Sequence, residues 1–131
     1  MTPDIWGPPL WYKMHMKTFA YPKNPTEKDK IEIRDFFRNI INLLPCETCK
    51  EHYIDYLKKR PIRYHYNNRD DLINWLIDLH NEVNARIGKK VLSYKEARSI
   101  YEQQHSQNLF GVVIFLIILI ITIIIFSKKK K

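Results

Sequence analysis

The chain has 131 residues, 13% of them aromatic and only three of them glycine, with a formal net charge of +8. Four of its 22 basic residues are the terminal lysines, so residues 1–108 carry 18 against 14 acidic side chains, a balance too even to argue for nucleic acid. The length suits one small domain with a modest core, and the lack of alternating β-branched residues argues against a sheet.

In chain order, "MTPDIWGPP" has neither a basic n-region nor an apolar h-region, so no signal peptide is expected. Pro8 and Pro9 suit the start of a first helix, from about Pro9 to Tyr21. Trp11, His15 and Phe19 fall on one face of it. "YPKNP" ends that helix. Thr26 is expected to cap a second helix, with Asp29 reaching back in a capping box. Ile33, Phe37, Ile40, Ile41 and Leu44 give this helix an apolar stripe.

Pro45 stops the second helix and opens a third, about Cys46 to Lys59, which "KKRP" ends. "IRYHYNN" reads as a basic, aromatic surface loop. A fourth helix is expected from about Asp70 to Ile87, with Leu72, Trp75, Leu76, Leu79, Val83 and Ile87 as its core face and Gly88 as the C′ residue. Ser93 and Glu96 form a capping box for a fifth helix, to about Gln104. Short links favour an antiparallel arrangement. The fold class expected is all-α: a four-helix bundle with a short fifth helix, followed by one transmembrane helix.

That last element is "LFGVVIFLIILIITIIIF", residues 109–126, which carries no charge. At ~1.5 Å per residue it spans about 27 Å, close to one hydrocarbon core. "SKKKK" follows it, a basic tail over residues 127–131 suited to lipid headgroups. The division expected is a helical domain over residues 1–105, the span, and the tail. A C-terminal tail anchor keeps the domain on the cytosolic side.

The two cysteines stand in "LLPCETCKEHY", at Cys46 and Cys49. A structural zinc needs four ligands, and the five histidines show no pair at the usual close spacing. A passive disulfide here closes too short a loop to constrain the unfolded chain. A thioredoxin-like host needs βαβ units, which the pattern lacks. A redox pair on a first helical turn remains: backbone N–H groups there favour the thiolate, and two such cysteines can reach each other. A zinc-clipped or scaffolding module is the competing reading.

"WLIDLHNEVNARIGK", residues 75–89, resembles the signature helix of the Erv/ALR family of FAD-linked sulfhydryl oxidases. His80, Asn81, Val83 and Asn84 match its order and spacing. "WYKMHMKTFAYP" matches the family's first helix through Trp11, His15, Tyr21 and Pro22, and the Cys-x-x-Cys lies between the two segments. The resemblance covers residues 6 to about 101. His80 and Asn84 are i, i+4 on one helix face, and polar groups on an apolar bundle helix need partners.

The resemblance implies an FAD-dependent thiol oxidase with Cys46 and Cys49 as the catalytic pair, Cys46 outer and Cys49 beside the flavin. It implies FAD contacts at Trp11, His15, Tyr21, Cys49, His80, Asn81, Val83, Asn84, Lys89 and Tyr101. It implies O2 as acceptor, H2O2 as product, and a thiol-containing protein, such as a small dithiol relay, as substrate. A non-covalent homodimer is also implied. Three departures stand out. The family's structural disulfide is absent, with Ile77 and Tyr94 in its places, so the loop after Gly88 is expected to be less rigid. Tyr101 stands where a tryptophan is usual. There is no second cysteine pair to shuttle electrons. That reduced form resembles the compact members encoded by large DNA viruses, which suggests a host or virion membrane.

Overall fold

The computed structural model describes residues 2–129, and every regular element among them is helical. The elements are α1 (Pro3–Phe19), α2 (Glu27–Asn39), α3 (Glu47–Lys59), α4 (Arg69–Arg86) and α5 (Tyr94–Lys129). Two 3-10 turns, Ile40–Leu43 and Ile62–Tyr64, sit in the connections.

α1 starts six residues earlier than the sequence suggests, with Pro3 in its first turn and Pro8 and Pro9 inside it. Each proline removes an intrahelical donor, but both are solvent-exposed, so water can take up the freed carbonyls. α2 begins as expected: Thr26 Oγ1 accepts the Asp29 N–H at 3.2 Å, and Asp29 Oδ2 accepts the Thr26 N–H at 2.7 Å. It then tightens into the 3-10 turn, because Leu44 before Pro45 must be extended. Ile33, Phe37 and Ile40 are buried, while Ile41 and Leu44 pack at the core's edge.

α4 is the central helix. Leu72, Trp75, Leu76 and Leu79 face the main core. The Phe37 ring meets Trp75 edge-on at 4.9 Å. Trp75 Nε1–H donates to the Arg60 carbonyl at 2.9 Å, and Tyr56 O–H donates to the Trp75 carbonyl at 2.7 Å, so the buried polar tips are satisfied. The other side of α4 is buried too: Ile73 and Ile77 pack with Phe19 and Ala97. Ile87 does not join the core. α4 ends at Arg86, Gly88 turns the chain at φ +70°, and Ile87 is left 55% exposed.

α1 and α4 are antiparallel, since His15 meets His80 and Asp4 pairs with Lys89 at 3.3 Å. α5 meets both against their numbering. On α4 it bonds first Asp78, from Tyr94, and then Asn74 and Asp70, from Arg98. On α1 it touches Phe19, then His15 through Tyr101, then Tyr12 through Asn108. A helix cannot run antiparallel to two antiparallel partners, so α5 lies across the pair. It also continues past Gln104. No proline interrupts residues 104–109, so the fifth helix and the apolar segment form one rod. The apolar window of that rod is unburied.

The segment after Gly88 is tied down without a disulfide. Asn81 Nδ2–H donates to the Leu92 carbonyl at 2.7 Å, and Asn81 Oδ1 accepts the Leu92 N–H at 3.0 Å. Tyr94 O–H reaches Asp78 at 2.7 Å, and Ser93 and Glu96 complete their capping box.

Candidate functional site

A cleft of about 670 Å³ opens where α1, α3, α4 and α5 converge. Trp11, Cys46, Cys49, His80, Asn84 and Tyr101 all line it, so four segments of the chain meet in one place. Val83 and Lys89 line it as well.

The cysteines owe their geometry to Pro45. The extended backbone there makes Cys46 the N-cap of α3, at φ −123° and ψ 124°. Its sulfur accepts the Cys49 N–H at 3.2 Å. The Cys49 thiol and this N–H draw the Cys46 thiol below its ordinary range. Burial, and then the neighbouring Cys46, push Cys49 up to about 11. Both cysteines are half-buried, and of the two thiols Cys46, at the helix start, gives up its proton more readily. Their mutual reach is what a dithiol–disulfide couple requires.

Rings form the opposite wall. The indole of Trp11 lies flat on the His80 imidazole, with centroids 3.9 Å apart and planes 6° apart. His15 lies flat on Tyr101 at 3.7 Å and 12°. His15 Nε2 and His80 Nδ1 are 3.0 Å apart, so one ring donates and the other accepts. Burial first, and then mutual repulsion, lower His15 to about 3. Burial, with Lys89 adding to it, lowers His80 to about 4. Both rings are neutral at pH 7. His15 Nδ1 and Gln104 Oε1 are buried without a hydrogen-bond partner.

Two residues expected at the site do not reach the cleft. Tyr21 is buried and donates its hydroxyl to the Tyr66 carbonyl at 2.8 Å. Asn81 spends its amide on Leu92. His15 touches the lining through His80 and Tyr101 rather than from the lining itself. The sequence reading missed Gln104, one turn beyond Tyr101 and on the same helix face, and Trp6, one turn before Leu10. His52, one turn after Cys49, is exposed and lines the cleft as well. Among the described residues no three His, Cys, Asp or Glu side chains group closely enough to hold a metal ion.

Residues 8–105 match the family model described as the Erv1 / Alr family. The chain belongs to the Erv1/Alr family. Its relatives include a protein of Acanthamoeba polyphaga mimivirus, 40% identical over 104 residues, which cover 79% of this chain and 73% of that protein. The FAD-linked sulfhydryl oxidase of African swine fever virus is 38% identical over 98 residues, 75% of this chain and 81% of that protein. Among solved structures, the yeast Erv1 core superposes with a TM-score of 0.71 at 22% identity, covering 77% of this chain and 84% of that one. The FAD binding domain of Erv1 from Saccharomyces cerevisiae gives 0.72 at 22% identity, over 79% and 96%. These likenesses establish the all-helical family fold.

Proposed function

We propose that this chain is an FAD-dependent sulfhydryl oxidase that forms disulfides in protein substrates, with O2 as acceptor and H2O2 as product. The observation that carries the reading is the cysteine pair opening into the same cleft as the two aromatic stacks. The shared family supports it.

The residues present fit a flavin nucleotide. The cleft has the size of a cofactor site and mixes flat apolar walls with a few polar atoms. Gln104 Oε1, in the lining, is a buried polar atom that a ligand would satisfy. Trp11, His80, Val83, Asn84, Lys89, Tyr101 and Cys49 would hold it, with His15 positioning His80 and Tyr101 from behind. Asn81 would act from behind, fixing the segment that follows Lys89. Tyr21 would brace the far end of α1.

In the oxidised enzyme a substrate thiolate attacks Cys46, and the Cys49 sulfur leaves as a thiolate. The substrate's second thiolate then attacks its own sulfur in the mixed disulfide and expels Cys46. The substrate departs oxidised, and the pair is left as a dithiol. Bound FAD supplies the two-electron acceptor that returns the dithiol to the disulfide and delivers the electrons to oxygen as H2O2. The hydrogen bonds on Cys46 would stabilise it as a leaving thiolate, and Cys49 would be the sulfur beside the flavin.

We read residues 109–126 as a membrane anchor, because none of the described residues covers that apolar surface. The domain then faces the cytosol, and a homodimer would form through the edge of α2 where Ile31 is exposed and Phe36 half-buried.

The test is the full chain purified in detergent. A yellow protein that consumes oxygen with a dithiol, and loses that turnover in both Cys46→Ala and Cys49→Ala, is the expected result. A colourless, folded protein that neither binds added FAD nor consumes oxygen would overturn the assignment.

A further inference from the structure

We infer that a second cleft, on the far side of α3 from the cysteine cleft, docks an acidic segment of the protein substrate. This inference rests on the sulfhydryl-oxidase reading and adds to it the chemistry of the substrate.

The second cleft, of about 470 Å³, lies between α2, α3 and the 3-10 turn Ile62–Tyr64. Its floor is apolar: Phe37 from α2, Leu57 from α3, and Ile62 and Tyr66 from the connection. Its rim is basic. Arg34 and Arg38 stand one turn apart on α2, with Lys58 on α3 and Arg63 in the turn. Among the described residues no acid lines it. Arg34 is held by Asp35 at 2.9 Å, and Asp55, one turn before Lys58, is taken by Lys59 at 2.7 Å. Arg38, Lys58 and Arg63 are left without an acidic partner among the described residues. Residues 1–108 carry only four more basic than acidic side chains, so a rim of four bases and no acid is a local excess rather than a sample of the surface.

The connection that closes this cleft is tied at both ends. The Arg60 carbonyl accepts Trp75 Nε1–H at 2.9 Å, and the Tyr66 carbonyl accepts the Tyr21 hydroxyl at 2.8 Å. A free small anion gains little from exposed cations, because each such pair is weak in water. A segment with several carboxylates and one apolar side chain uses rim and floor together, and complementary charge selects it over neutral or basic chains. A purely apolar partner would cover the three cations without pairing them.

The path to the chemistry suits a substrate. On α3, Cys49 and Tyr56 face the cysteine cleft while Ile54 and Lys58 face the second one, so one helix separates the two. Lys58 is about 18 Å along that helix from Cys46, and passing round the helix adds about 10 Å. About six to ten extended residues cover the path.

The test uses the full chain in detergent with dithiol peptides. Each carries a Cys-x-x-Cys and, about eight extended residues away, a leucine flanked by either glutamates or glutamines. The expected result is a KM about 5- to 10-fold lower for the acidic peptide, at equal kcat. Arg38→Glu/Lys58→Glu, both at exposed positions, removes that preference and transfers it to a peptide with lysines in the same places. Oxidation of dithiothreitol is unchanged. Lys13→Glu/Lys95→Glu, the same change in net charge outside the lining, keeps the preference. Equal KM for acidic and neutral peptides, with dithiothreitol oxidised normally, would overturn this proposal and leave the oxidase standing. A preference lost equally in both double variants would assign it to net charge and overturn the docking cleft. A colourless chain that oxidises no thiol would overturn the oxidase reading and this inference together.

Discussion

The imidazoles of His15 and His80 share one hydrogen bond, Nε2 to Nδ1 at 3.0 Å, and each has an aromatic ring stacked flat upon it. The hydrogen bond needs one unprotonated acceptor nitrogen, and burial keeps both rings neutral, with values near 3 and 4 in the fold against 6.5 unfolded. The unfolded chain therefore binds more protons than the folded one between those limits. Stability is complete above about pH 6.5 and falls as the pH drops toward 4. Each histidine contributes a loss of about 2 kcal/mol between pH 6.5 and pH 5. The urea midpoint should drop over that interval, and His15→Gln should flatten the slope. A midpoint unchanged from pH 7 to pH 5 would refute the neutral pair.

The two cysteines should differ in reactivity once reduced. Cys46 is drawn down by the donors from Cys49, while burial raises Cys49. At pH 7 iodoacetamide should modify Cys46 about ten-fold faster than Cys49, read by peptide mass spectrometry over time. Cys49→Ala removes the thiol donor, although the backbone N–H remains, and should slow alkylation of Cys46. Equal rates at both positions would remove the basis for assigning outer and inner roles.

Much of this architecture was legible in local chemistry. The Thr26–Asp29 and Ser93–Glu96 boxes, the stop at Pro45 and the turn at Gly88 lie where cap and turn residues demand them. The site's meeting of Trp11, His80 and the cysteines was legible only through resemblance, because contacts over such separations leave no trace in periodicity. Three features were hidden for identifiable reasons. Prolines inside α1 read as a start, since their carbonyl partners are exposed and cost little. The second buried side of α4 needed the position of α5. The absent disulfide suggested a looser segment, but the Asn81 clamp is a side-chain-to-backbone contact that no motif encodes.

That clamp separates a structural role from a cofactor contact. Asn81→Ala leaves the Leu92 N–H and carbonyl without partners and should cost about 1–3 kcal/mol. The thermal midpoint should fall, and flavin affinity should weaken only in proportion to the loosened segment that carries Lys89. His80→Ala removes the surface under Trp11 and leaves His15 Nε2 without its partner, so it too should lower the midpoint, but flavin affinity should fall by more than that loss accounts for. Titration of FAD into both variants, beside melting curves, distinguishes them. An Asn81→Ala protein with an unchanged midpoint but no flavin would move Asn81 back among the direct contacts.

Tyr101 and Gln104 test whether α5 takes part in the site or merely covers it. Tyr101 stacks on His15 through its ring, so Tyr101→Phe should bind FAD normally. Tyr101→Ala loses the stack, worth about 0.5–1.5 kcal/mol, and should weaken FAD about 2- to 10-fold. Gln104 Oε1 is buried and unpaired, so in the flavin-free chain Gln104→Leu should be neutral or stabilising, since a desolvated acceptor disappears. If a ligand satisfies that oxygen, the same change should weaken FAD binding by a further few-fold. The two readouts must move in opposite directions. Should Gln104→Leu raise both the midpoint and the affinity for FAD, α5 is a cover, and the cofactor's polar contacts come from α1 and α4 alone.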